Sequence, residues 1–196
     1  MVTQQKSYLT ANEAALAQLK KEAEETGYWA KYNSLKRFLE CQEIYYKSFE
    51  NGGDPVKSAA DHWNAWVHQL ERQEKIDFSD LIFSDELDFH GFEFSVDVDF
   101  SGCIFEGDAN FAGCKFLGKA KFSSSTFNRR AIFHNCIFND VEFDRSEFFM
   151  DSDFSRCRFG GKSSLRSCKF HDVNCIFERS VFESVAYFSL SLFSRT

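Results

Sequence analysis

The chain has 196 residues, enough for a sizeable core in one or two domains. Its formal charge of −7 disfavours a general nucleic-acid-binding role, and no stretch approaches the ~20 apolar residues of a membrane span. The composition is skewed to 25 Phe against 3 Trp and 6 Tyr, with a single Pro, which marks a repeat and not an ordinary mixed core.

Residues 1–75 contain only two Phe and read with helical periodicity. The start, MVTQQKSYLT, has no apolar run of a secretory signal, so a cytoplasmic protein is expected. Thr10 and Glu13 have the spacing of a capping box, which predicts a first helix from there to about residue 25. Leu16, Leu19 and Ala23 give it an apolar stripe, and Gly27 is placed to end it. A second helix carries Tyr28, Tyr32, Leu35, Leu39, Tyr46 and Phe49 on one face, widened by Phe38, Cys41 and Tyr45, and stops at Asn51-Gly52-Gly53. Asp54 followed by Pro55 is an N-cap with proline at the first helical position. The third helix should bury Val56, Trp63, Trp66, Val67 and Leu70. The two Trp are read first as core and second as a docking surface. Three such helices form a region suited to covering the exposed strand edge of whatever follows.

From Ile76 onward one pattern takes over. Phe recurs at 78, 83, 89, 94 and 100, and continues to Phe159 with gaps alternating between five and six, so the true period is eleven. Leu165 takes the next beat, and Phe170, Phe177, Phe182, Phe188 and Phe193 complete twenty-two. Two residues before each beat stands a small or medium residue, such as Val98, Cys103, Ala109, Cys114, Ala120 and Ser125. Each pair is a short extended segment with two side chains inward and the one between them outward.

The run Ala109-Asn-Phe-Ala-Gly-Cys-Lys-Phe-Leu-Gly-Lys, followed by Ala120-Lys-Phe, resembles the pentapeptide-repeat family in a Phe-centred variant. The resemblance covers residues 76–196 and implies a mainly β fold, a right-handed quadrilateral parallel β-helix, with residues 1–75 as an α-helical N-terminal cap. Four segments then make a coil of 22 residues, and the twenty-two segments make about 5.5 coils, or roughly 26 Å of rod at ~4.8 Å per coil. The gap of five from Phe138 to Phe143 and the gap of seven from Phe170 to Phe177 are the two irregularities, expected at corners.

A core filled by Phe leaves no room for a cofactor, and none is expected, nor is a metal. Six of the seven Cys (103, 114, 136, 157, 168 and 175) occupy the small position, where Ala and Ser alternate with them, and they are read as inert packing thiols. There is no CxxC pair, HExxH, Gly-rich phosphate loop or Ser-His-Asp grouping, so an enzyme is not expected. Function is expected on the outside. Residues 76–114 carry ten acids and no Lys or Arg: Asp77, Asp80, Asp85, Glu86, Asp88, Glu93, Asp97, Asp99, Glu106 and Asp108, all expected at outward or corner positions. Lys115, Lys119, Lys121, Arg129 and Arg130 then begin a mildly basic remainder, with thirteen basic residues against nine acids. The expected activity is non-catalytic binding of another protein through these charged faces. The resemblance also implies an alternative, a DNA-mimicking modulator of DNA gyrase or topoisomerase IV. Such a rod needs acidic charge along its whole length, whereas here the sign reverses at Lys115. A bacterial effector or immunity module is compatible but has no residue of its own. The last coil has no cap in the sequence, which a homodimer through that end, another partner or truncation of a longer chain could each explain.

Overall fold

In the computed structural model, which describes residues 2–71, 73–171 and 174–194 (with side chains from Ala14 to Leu192), three helices precede twenty-two short strands. The strands stack into four parallel sheets, of six, six, five and five strands, each formed by every fourth segment. The chain therefore winds as a four-sided parallel solenoid. Side one contains Lys75–Asp77 and Asp97–Asp99, side two Ile82–Phe83 and Ile104–Phe105, side three Leu87–Asp88 and Ala109–Asn110, and side four Glu93–Phe94 and Lys115–Phe116. Pairing is offset by 22 residues in the first coils, by 21 where Thr126 meets Glu147, and by 23 where Ser152 meets Cys175. Those are the places where the two irregular Phe gaps enter, and each leaves the inward pattern intact.

The rings form continuous stacks. Phe111 and Phe133 lie 5.0 Å apart at 1°, and Phe116 and Phe138 lie 4.9 Å apart at 1°. Rings from opposite sides meet edge to face, as Phe122 and Phe133 do at 5.4 Å and 83°. Both geometries suit the ring quadrupole. Most of these side chains are fully buried, so each contributes on the order of 2–3 kcal/mol.

The alternation of five and six has a backbone cause. Each five-residue corner except the irregular one between Phe138 and Phe143 holds one residue in the left-handed region: Asp80, Gly91, Gly102, Gly113, Ser124, Asn135, Arg145, Arg156, Ser167, Arg179 and Leu190. The tight turn closes with a hydrogen bond from the following small residue, as from Cys103 N to the Phe100 carbonyl at 3.2 Å. The six-residue corners use wider bends. There Gly107 and Gly118 pass so close to the previous coil that a Cβ would lie 2.5 Å and 2.4 Å from its backbone.

This turn chemistry divides the small positions into two classes, a distinction the sequence reading missed. After the five-residue corners, from the second coil onward, they are Cys or Ser: Cys103, Ser125, Ser146, Cys168 and Ser191 on side two, and Cys114, Cys136, Cys157 and Ser180 on side four. Each donates its thiol or hydroxyl to a Phe or Leu carbonyl of the preceding coil, as Cys114 Sγ does to Phe89 O at 3.0 Å and Ser125 Oγ to Phe100 O at 2.7 Å. On sides one and three the same position is mostly Val or Ala, and the hydroxyl of Ser163 has no hydrogen-bond partner among the described residues. Cys thus interchanges with Ser because both donate. Ala is confined to the sides where no carbonyl waits. Burial pushes the free thiols of Cys103 and Cys168 up to about 12.

The helical region seals the first coil. Helices α1 (Val2–Thr26), α2 (Ala30–Glu50) and α3 (Pro55–Val67) occur in the expected order. α1 starts well before Thr10, so the expected capping box falls inside the helix, and the side chains of Thr10 and Glu13 lie outside the described ones. Asp54 caps α3 as expected, accepting from Lys57 N at 3.0 Å. The buried stripe of α2 is Ser34, Leu35, Phe38, Cys41 and Gln42, whereas Tyr28 and Phe49 at its ends are exposed. Leu35, Phe38 and Cys41 of the expected face are buried and Leu39 and Tyr45 pack against the core, but Ser34 and Gln42, polar and left out of it, also turn inward. Their hydrogen-bonding groups satisfy the solenoid's first edge. Ser34 Oγ accepts from Asp77 N at 2.9 Å, and Gln42 Nε2 donates to Asp88 O at 3.4 Å. From α3, Trp63 Nε1 donates to Glu93 O at 2.9 Å, and Asn64 Oδ1 accepts from Glu93 N at 2.7 Å. Trp63 stacks on Phe92 at 5.1 Å, and Phe38 lies 4.6 Å from Phe89, so the aromatic core runs from the solenoid into the cap without a break.

Candidate interaction surface

The inward side chains are engaged in packing, so the groups available for chemistry are the outward strand residues and the corners. Among the described residues no group of three or more His, Cys, Asp or Glu side chains could hold a metal ion. A groove of about 510 Å³ lies between the start of α2 and the end of α3, lined by Tyr28, Trp29, Arg37, Trp66 and Lys75 among others. Trp63 is core, as the first reading had it. Trp66 is half-buried at the groove, packed edge-on against Trp63 at 4.9 Å and facing Arg37 at 5.5 Å.

The ten acids separate into groups that differ in what they touch. Asp77 is not a surface residue. It is 5% exposed beneath α2, where Tyr28 Oη donates to it at 2.6 Å and Ser79 N at 2.9 Å. Burial pushes its carboxyl up, but the hydrogen bonds from Tyr28 and Ser79 outweigh that and hold it below the ordinary carboxylate range. Glu93, Asp99 and Asp108 face the next coil, and the cations stacked on them lie 22 positions later. Lys115 bonds to Glu93, Lys121 approaches Asp99 at 3.6 Å, and Arg130 Nε donates to Asp108 at 3.0 Å. These partners hold Glu93 and Asp108 below the ordinary range. Lys119 reaches upward to Glu142 at 2.7 Å, while its backbone N donates to Asp97 at 2.8 Å. Asp88 accepts from His90 N at 2.9 Å and from Asn110 Nδ2 at 3.2 Å.

The abrupt change of sign at Lys115 is therefore a seam: Lys115 of the second coil lies on Glu93 of the first, and Lys121 and Arg130 of the third lie on Asp99 and Asp108 of the second. Among the described residues, the acids left without a cation or a hydrogen-bonding partner for their side chains are Asp80, Asp85, Glu86 and Glu106, all exposed at corners. Of the five expected basic residues, Arg129 alone forms no ion pair within the described part. Asp85, Glu86, Glu106 and Arg129 share one six-residue corner, between sides two and three. Tyr46 of α2 is within electrostatic reach of Asp85 and Glu86; its own burial first, then Tyr45, and then their charges hold its phenol above the ordinary range. On the fourth coil the same corner carries Phe149 and Met150, 42% and 41% exposed. Sequence reasoning grouped the acids by sign along the chain and so missed this corner, which appears only once residues 21 and 22 apart are superposed.

At the far end the last coil exposes Val181, Val185, Phe188, Leu190 and Leu192. No described helix is long and apolar enough to cross a membrane.

No curated protein and no solved structure matches the chain. The family model described as pentapeptide repeats in nine copies matches residues 100–147. That match lies wholly inside the solenoid, and the same inward residues, corners and pairing continue through the coils before and after it. Residues 100–147 thus carry the repeats of the pentapeptide-repeat family, and the coils on either side are built in the same way.

Proposed function

We propose that the protein is a non-catalytic binding module of the cytoplasm that engages another protein through the charged corner between sides two and three. The observation that carries this reading is selective pairing. Glu93, Asp99 and Asp108 each meet a cation of the next coil, whereas Asp85, Glu86 and Glu106 stand exposed on one edge without one. Exposed unpaired charge concentrated on a rigid edge steers a complementary partner and favours its capture at low salt. The free thiols suit a reducing compartment. Neutralisation of the seam acids by Lys115, Lys121 and Arg130 leaves the rod without the continuous acidic density of a DNA mimic, so gyrase is the less favoured partner.

The test replaces Asp85, Glu86 and Glu106 together by Lys. None of the three side chains makes an intramolecular ion pair in the described structure, so the variant should fold. Affinity capture from the source cells, with purified binding to whatever is captured, should show a salt-sensitive complex that the triple variant loses. A partner bound equally by both proteins, independently of salt, would refute the reading.

A further inference from the structure

The corner between sides two and three changes character from coil to coil in an order that is meaningful under a two-fold axis. Its middle column is Asp85, Gly107, Arg129 and Met150, one residue per coil, superposed by the strand pairing on either side. Before the first of these levels stands the end of α2. That helix crosses the open end of the solenoid from Ser34, at Asp77, to Gln42, at Asp88, and then continues past the corner through Tyr46 to Phe49, which is 62% exposed. Along the rod the corner thus reads aromatic, acidic, glycine, basic, apolar, with steps of ~4.8 Å.

We propose that this corner is a self-complementary interface and that its occupant is a second, antiparallel copy of this chain. A two-fold axis through Gly107 places Asp85 of each copy opposite Arg129 of the other, each one coil spacing from the axis along the rod. The same operation sets Phe149 and Met150 against Tyr46 and Phe49. Isologous contacts require that each patch find its complement on the same molecule, and here acid answers base and apolar answers aromatic at equal distances from the axis. Glycine at the centre lets the two edges approach, Glu86 of each copy comes opposite Arg130 of the other, and Glu106 meets its own equivalent at the axis. The inference rests on the binding role of this edge and names what fills it.

Sedimentation equilibrium of the whole chain over a concentration series should show the mass rising from 22.7 kDa towards twice that value, less so at high salt. Asp85→Arg and Arg129→Glu should each hold the protein monomeric, because each creates two like-charge contacts. Mixing those two variants should restore the dimer, since every facing pair is then opposite in charge, and the double variant should dimerise on its own. A wild-type chain that stays monomeric overturns the proposal. So does a dimer that survives both single substitutions but dissociates with Leu190→Asp, which would place the contact at the last coil. Restored folding without restored association in the mixture overturns it too. If the chain is monomeric but the triple Lys variant still loses a captured partner, the edge binds a different protein and only the assignment of its occupant fails.

Discussion

Two buried serines at equivalent steps of the repeat should respond in opposite directions to the same substitution. Ser125 follows a five-residue corner, is fully buried, and donates to the Phe100 carbonyl at 2.7 Å. That carbonyl keeps its turn hydrogen bond from Cys103 N at 3.2 Å, so Ser125→Ala removes one of two donors and does not orphan the oxygen. The expected loss is about 1 kcal/mol. Ser163 follows a six-residue corner and is equally buried, but its hydroxyl has no partner, in a column with Val98, Ala120, Val141 and Ala186. A buried hydroxyl without a partner costs roughly 1–3 kcal/mol, and the loss of one oxygen leaves little void. Ser163→Ala should therefore stabilise by about 1–2 kcal/mol. For a chain of this size 1 kcal/mol moves the melting temperature by about 2–4 °C. Thermal unfolding followed by circular dichroism should place the two variants on opposite sides of the wild type. Changes of the same sign would refute the division of the small positions into donors and fillers.

Three further outcomes follow from the corners and the cap. Arg156→Gly should raise the melting temperature slightly, since Arg156 holds φ 56° at a step that Gly91 and Gly113 occupy in earlier coils; relief of about 1–2 kcal/mol of left-handed strain exceeds the backbone entropy that glycine brings. Gly118→Ala should destabilise by about 1–3 kcal/mol, as its Cβ would lie 2.4 Å from the Val96 backbone; an unchanged melting temperature would contradict the close stacking of the six-residue corners. Because Asp77 titrates below its ordinary value in the folded chain, its contribution to docking the helices is complete above about pH 4 and is lost as pH falls through the lower folded value. Tyr28→Phe removes a donor to that carboxylate, so it should shrink this acid-dependent loss, read as the pH dependence of Trp63 fluorescence.

The solenoid was legible in the sequence because its inward positions are chosen by volume at fixed intervals, and a volume code survives in one dimension. The coil of 22 residues, the stacking of Cys114, Cys136 and Cys157, and the displacement at Phe138–Phe143 were all readable from spacing. Asp54 and Pro55 announced α3 by local chemistry alone. The face of α2 was not legible in the same way. Ser34 and Gln42 are polar residues turned inward by acceptors and donors on a strand edge more than forty positions away. Asp77 was misplaced for the same reason: its alternation says outward, but outward on the first coil means beneath a helix. The charged corner needed the superposition of coils, since Asp85 and Arg129 are 44 positions apart and share a column only through the winding.

Seen as a stack, the charges also address a weakness inherent in the Phe ladder. Identical rings on identical sides do not distinguish one coil from another, so a slip by a whole coil during folding costs the core little beyond one looped-out turn. The exposed pairs Glu93–Lys115, Asp99–Lys121 and Asp108–Arg130 stabilise little individually, since pairs of this exposure are worth about 0–1 kcal/mol. Their arrangement matters more than their sum. A one-coil slip would set Glu93 against Ile137, Asp99 against Glu142 and Asp108 against Asp151, replacing three attractions by two repulsions and an unpaired acid. The sign change at Lys115 thus marks the second coil as the neighbour of the first and the third as the neighbour of the second, and it does so with side chains that leave the aromatic core free to be uniform.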